Sequence, residues 1–190
     1  YLSDPELKTE RVFYLYFWLF FAADLAVWLD AAGVLAGAAP LAIRFALYLV
    51  VLMIVFMGGR VIPFFTESEL SRRQPQVKKA VELGALAVSG LYVATALLLP
   101  DGVVNAVVAF AACVLHVIRL AGWQVPRVRR IPLLWILHVG YLWIAIGYGL
   151  SGLAALGWVP ASAAIHAFAV GGVGTVILGM ISRVSLGHTG

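Results

Sequence analysis

The sequence predicts an all-α fold: a polytopic transmembrane helix bundle with six membrane-spanning helices, its termini and basic loops on the cytoplasmic side. Two observations predict it. Of the 190 residues, 63% are hydrophobic and 12% charged, with a mean hydropathy of +1.01, far from the roughly 45–50% apolar and 25% charged of a globular domain. The apolar residues also fall in runs of about 20, each able to cross a hydrocarbon core roughly 30 Å thick. These runs are continuously apolar instead of alternating every second residue, which selects helices over barrel strands.

The first span runs from Val12 to Leu29 and carries Asp24 well inside it. The second, Leu41 to Met57, has Arg44 just inside its outer end. Ions within a membrane are costly and usually paired, so Asp24 and Arg44 are expected to meet, with Asp30 as a further partner, either for structure or for a proton or ligand role. The third and fourth spans, Ala80 to Leu99 and Val103 to Leu120, are joined by only Pro100 to Gly102. The fifth is Leu133 to Leu150 and the sixth Ala161 to Ile181. No stretch between them is long enough for a soluble domain. On the sixth, Ala167, Gly171, Thr175 and Gly179 recur every fourth residue, a small-residue stripe suited to close helix packing or to a flat ligand.

Charge sets the orientation. Asp30 to Pro40, Pro100 to Gly102 and Ser151 to Pro160 contain no Lys or Arg. The opposite ends carry Lys8, Arg11, Arg60, Arg72, Arg73, Lys78, Lys79, Arg127, Arg129, Arg130 and Arg183, which the positive-inside rule places in the cytoplasm. This asymmetry and anionic lipid account for the net charge of +4, so no nucleic-acid partner is expected. The expected partners are the lipid bilayer and the remaining helices of a parent protein. The chain starts at Tyr1 with no initiator Met or signal-like segment and stops at "GHTG", which is read as a fragment of something larger. The lone Cys113 inside an apolar run excludes a disulfide framework and argues against a cysteine zinc site.

Histidines are the groups best able to carry chemistry. Three of the four, His116, His138 and His166, lie within spans otherwise made of aliphatic and aromatic residues, and His188 follows the sixth. Neutral imidazole ligates haem iron and copper, its second nitrogen oriented by a carbonyl or carboxylate. The same rings could instead hydrogen-bond neighbouring helices. Their spacing matches no HxxxH, HExxH or CxxCH pattern, so the motif itself does not decide.

The stretch "MGGRVIPFFT" closes the second span. Gly58 and Gly59 are expected to end the helix through backbone angles barred to other residues, and Pro63 to forbid its continuation. Phe64 and Phe65 then anchor in the interface, and Thr66 to Lys79 forms a polar loop. Arg60 reaches the headgroups or an anionic ligand group, a suitable target for its planar, permanently charged fork.

"GGRVIPFFT", together with the terminal "GMISRVSLGHTG", resembles the NnrS family of bacterial polytopic membrane proteins, and the resemblance covers nearly the whole chain. The second motif combines Arg183, Ser185, Gly187, His188, Thr189 and Gly190 after a glycine-rich helix opened by His166; the intervening spans with His116 and His138 agree less distinctively. The resemblance implies a protein of about twelve spans in the bacterial inner membrane. It implies haem, of b type, and copper as cofactors, and a role in nitric oxide response and resistance to nitrosative stress, often beside denitrification genes. Nitric oxide is the small ligand so implied, and Arg60, His116, His138, His166, His188 and Arg183 become the cofactor-binding candidates, with the four histidines as metal ligands. The alternative is a non-redox transporter or scaffold half, in which the histidines and Asp24 and Arg44 serve helix packing or a proton path.

Depth separates the histidines. His116 and His138 sit near the cytoplasmic ends of antiparallel neighbours, whereas His166 opens the sixth span at the outer face. At about 1.5 Å per residue, a regular helix puts His166 and His188 on the order of 30 Å apart. An inner site drawing on His116, His138 or His188 and a separate outer site at His166 are expected.

Overall fold

The computed structural model describes residues 5–70, 77–123, 128 and 130–189, with side chains for those from 11 to 186. Arg72, Arg73, Arg127 and Arg129 of the basic loops lie outside the described residues. The elements are α1 (Pro5–Ala31), α2 (Ala39–Leu70), α3 (Lys79–Leu98), α4 (Val103–Ala121), α5 (Pro132–Ala155), α6 (Ala161–His166), a π-helical segment (Ala167–Gly174) and α7 (Thr175–Thr189). The last three form one uninterrupted rod, so six helices are long and apolar enough to cross a membrane. No strand occurs among the described residues.

The chain divides into two compact units, residues 1–50 and 51–190. In the first, α1 and the start of α2 form a hairpin closed by Asp30, whose carboxylate accepts the Gly37 N–H at 2.7 Å and the Ala39 N–H at 3.0 Å. Left-handed backbone at Gly33 and Gly37, φ 74° and 84°, makes that turn possible. The expected Asp24–Arg44 pair does not form. Asp24 is exposed, and the Arg44 Nε–H donates to the Pro40 carbonyl at 3.3 Å, a bond one turn back along its own helix. Asp30 satisfies backbone donors at the start of α2 instead of an arginine.

In the second unit α5 is the central helix, packed against α4 and against the α6–π–α7 rod, with α3 on α4. At the turn between α3 and α4 the Asn105 amide donates to the Pro100 carbonyl at 2.8 Å and its oxygen accepts the Thr95 hydroxyl at 3.0 Å, which closes the α3–α4 hairpin. The Gly102 N–H donates to Ala155 at 2.7 Å and fastens that hairpin to the end of α5. The small-residue stripe packs closely, as expected. A Cβ on Gly171 would lie 2.6 Å from the Trp143 ring, and one on Gly179 3.0 Å from Ile136 and Leu137.

The second span departs from expectation. α2 does not stop at Met57 but runs through Gly58, Gly59 and Pro63 to Leu70, 32 residues in all. Neither glycine has positive φ. A length of about 48 Å at 1.5 Å per residue exceeds the hydrocarbon thickness. Pro63 is tolerated inside a membrane helix because neighbouring groups can satisfy the freed backbone. Thr66, fully buried, bonds back to the Ile62 carbonyl at 2.8 Å beside it. The glycines therefore serve close approach, not chain reversal.

A candidate site around a buried arginine

The approach at Gly59 is made by Arg119. Its side chain is 2% exposed and comes from the last turn of α4. A Cβ on Gly59 would fall 1.7 Å from Arg119 Nη2, so only glycine admits the guanidinium against the α2 backbone. Nη1 donates to the Val55 carbonyl and to the Tyr141 hydroxyl, both at 2.7 Å. Nη2 pairs with the Glu82 carboxylate of α3. One cation thus joins α2, α3, α4 and α5. An ion in an apolar interior is costly unless paired and hydrogen-bonded, and this one is both.

From Arg119 the polar chain continues inward. The Tyr141 hydroxyl lies 2.7 Å from His116 Nδ1, and His116 Nε2 lies 2.8 Å from Ser89 Oγ, which donates to the Ala85 carbonyl at 2.7 Å. Counting donors gives it one direction. Ser89 gives its own proton to Ala85, so its oxygen accepts from His116 Nε2–H. A neutral imidazole protonated there has only Nδ1 left to accept, so the Tyr141 hydroxyl donates to it while the Tyr141 oxygen accepts from Arg119. His116 is fully buried and stacks on Tyr148 at 5.1 Å and 5°. Trp123 covers the Tyr141 ring at 4.5 Å.

The other predicted residues fall elsewhere. His138 is 3% exposed and turns Nδ1 to the Leu134 carbonyl at 2.9 Å and Nε2 to the Trp123 carbonyl at 3.3 Å. His116 and His138 therefore share the Trp123–Tyr141 neighbourhood, with the nitrogens of both rings facing protein partners. His166 stands apart at the end of α6, directly before the π-helical segment. Its ring is exposed, and Nδ1 donates to the Ser162 carbonyl at 2.7 Å, which fixes the tautomer and leaves Nε2 as a lone-pair donor. His188 belongs to α7, and its side chain is outside the described ones. Arg60 is exposed over the Phe56 ring at 4.5 Å. Arg183 bonds Glu69 at 2.8 Å and covers Phe65 at 4.1 Å. Among the described residues no three of His, Cys, Asp and Glu gather closely enough to hold a metal ion. Of the histidines with described side chains, His166 alone has the orientation that suits a metal ligand: one nitrogen anchored, the other open.

The sequence pattern alone does not mark Arg119, Glu82, Tyr141 and Ser89. Arg119 and Glu82 stand at span ends, where charge is cheap, and tyrosine and serine are unremarked within apolar runs. The His116-x-x-Arg119 spacing, which puts both on one helix face, was the available signal.

Continuous apolar helices around a buried polar network define a polytopic α-helical membrane protein. The model of one family, described as NnrS protein, matches residues 3–190. The chain belongs to the NnrS family. No curated protein and no solved structure matches it.

Proposed function

We propose that this chain is part of a haem- and copper-binding integral membrane protein of the bacterial cytoplasmic membrane that acts in the nitric oxide response. The observation that carries this reading is the family match across residues 3–190, which includes both motifs. Haem or copper, when bound, supplies one-electron chemistry and a coordination position for a small gas. On this chain His166 would offer Nε2 at the outer end of the sixth span, its ring held by Ser162. His188, with Arg60 and Arg183, would serve the cytoplasmic end, where an exposed guanidinium suits a carboxylate such as a haem propionate. His116 and His138, their nitrogens engaged by protein groups, shape the interior between these two ends.

Metal analysis and optical spectra of the full-length protein and its His166→Ala variant test this reading. Loss of one metal centre with the other retained is expected. Full haem and copper in that variant would remove His166 from the site, and metal-free protein from haem- and copper-replete cells would leave the non-redox scaffold in its place.

A further inference from the structure

We propose that Tyr141 and His116 form a proton-coupled one-electron donor inside the membrane, whose oxidant is a small apolar radical of the nitrogen dioxide type. The pair itself stands on geometry. Only the identity of the oxidant rests on the nitric oxide reading above, because nitric oxide and oxygen dissolved in a bilayer generate nitrogen dioxide there.

A buried phenol cannot give up an electron cheaply if its proton stays, since the product is a cation in a low-dielectric interior. At Tyr141 the proton has a destination. Arg119 donates into the phenol oxygen at 2.7 Å, and the Ser89 hydroxyl, committed to Ala85, holds the His116 proton on Nε2, so the tyrosine O–H donates to His116 Nδ1, also at 2.7 Å. Oxidation breaks the Tyr141 O–H bond and forms an N–H bond at His116 Nδ1. The electron passes to nitrogen dioxide, which becomes nitrite, and the products are a neutral tyrosyl radical and an imidazolium. The imidazolium keeps its Nε2–H on Ser89, 2.8 Å away. Glu82 already neutralises Arg119, so the new charge is not added to an unpaired cation.

The surroundings suit electron transfer and radical survival. Tyr141 and His116 are fully buried. Trp123 lies against Tyr141 at 4.5 Å; Tyr148 stacks on His116 at 5.1 Å and meets Tyr92 at 4.9 Å. These oxidisable rings flank the pair, so an oxidant need not touch the phenol itself.

The test uses the whole chain in lipid nanodiscs, without metal and again after metal loading. Nitrogen dioxide is generated by pulse radiolysis of nitrite, and the product is read by high-field EPR in water and in D2O. A long-lived tyrosyl signal is expected, with a g-tensor marking a hydrogen bond from imidazolium and with slower formation in D2O. Tyr141→Phe should lose it; any tyrosyl signal that remains, from buried Tyr92 and Tyr148 or from exposed tyrosines such as Tyr14, should lack the imidazolium g-tensor and the D2O effect. His116→Gln keeps a polar partner but accepts no proton, and should lose both the signal and the isotope effect. An unchanged signal in Tyr141→Phe overturns the proposal. If that variant fails to insert, an unchanged rate and isotope effect in His116→Gln overturn it equally. A radical in metal-free protein supports the pair even where the metal reading fails, and metal-loaded protein without one sinks the pair alone.

Discussion

Gly59 of α2 lies so close to Arg119 of α4 that a single added carbon would overlap the guanidinium, at 1.7 Å from Nη2. The arginine has little freedom to retreat, because Val55, Tyr141 and Glu82 hold it from three helices. Gly59→Ala should therefore destabilise the protein by about 1–3 kcal/mol, the usual cost of overpacking. Gly58 is the control. A Cβ there meets Tyr141 at 3.5 Å, ordinary contact, and Ala should be neutral or favourable through its better helix propensity. Thermal unfolding of both variants in detergent gives the comparison; equal midpoints would mean that Arg119 moves aside freely.

The ion pair at that point predicts strong coupling. Glu82→Gln leaves the Arg119 charge partly uncompensated, and Arg119→Met strands the carboxylate. Breaking a buried pair from one side costs about 3–5 kcal/mol. Glu82 is 27% exposed, so water screens its side of the loss and the lower end of that range is expected. The double variant should lose less than the two single losses combined, with coupling of about 0.5–3 kcal/mol. Additive losses in a double-mutant cycle would show that the pair contributes nothing of its own.

The membrane class and the six spans were legible because hydropathy over some 20 residues depends little on tertiary contacts. Even the small-residue stripe on the sixth span could be read, since Gly171 and Gly179 do what such residues do between any two helices. Two misreadings have a common physical cause. In sequence Gly58 and Gly59 predict a helix end, yet a glycine in a membrane helix can serve an incoming side chain as well as a turn. Charge alone predicts an Asp24–Arg44 pair, yet Asp30 binds backbone donors and Arg44 a carbonyl one turn away. Which polar groups meet depends on helix rotation and register, and a continuously apolar run carries little record of either. That is why Arg119, Glu82 and Tyr141 emerged only from the fold.

The α1–α2 turn offers a third prediction. The Asp30 carboxylate takes two backbone N–H groups, from Gly37 and Ala39. Asp30→Ala leaves both without an acceptor at the start of a long apolar helix, and capping losses of this kind cost about 0.5–2 kcal/mol. Asp30→Asn retains one carbonyl oxygen and should recover part of the loss. Amide hydrogen exchange at residues 37–39 reads it directly: faster exchange in Ala than in Asn, and in Asn than in the parent, is expected. Unchanged exchange in Ala would mean that water replaces the carboxylate without penalty.

Arg183 separates a structural role from a cofactor role. Its guanidinium pairs with Glu69 at 2.8 Å and covers the Phe65 ring at 4.1 Å, which ties α7 to the end of α2. The Glu69 side chain is 40% exposed, so the ion pair contributes only about 0–1 kcal/mol, and an exposed cation–π contact adds about 0.5–1 kcal/mol. Arg183→Ala should thus shift the unfolding midpoint slightly. Arg183→Lys keeps the charge but not the planar fork, which distinguishes the two roles: a lysine can restore most of the packing, whereas bidentate recognition of a carboxylate needs the guanidinium. If Arg183 holds a haem propionate, haem content of the full-length protein should fall in both variants while stability recovers in Lys. Haem content that follows stability across the pair would leave Arg183 as a helix tie and nothing more.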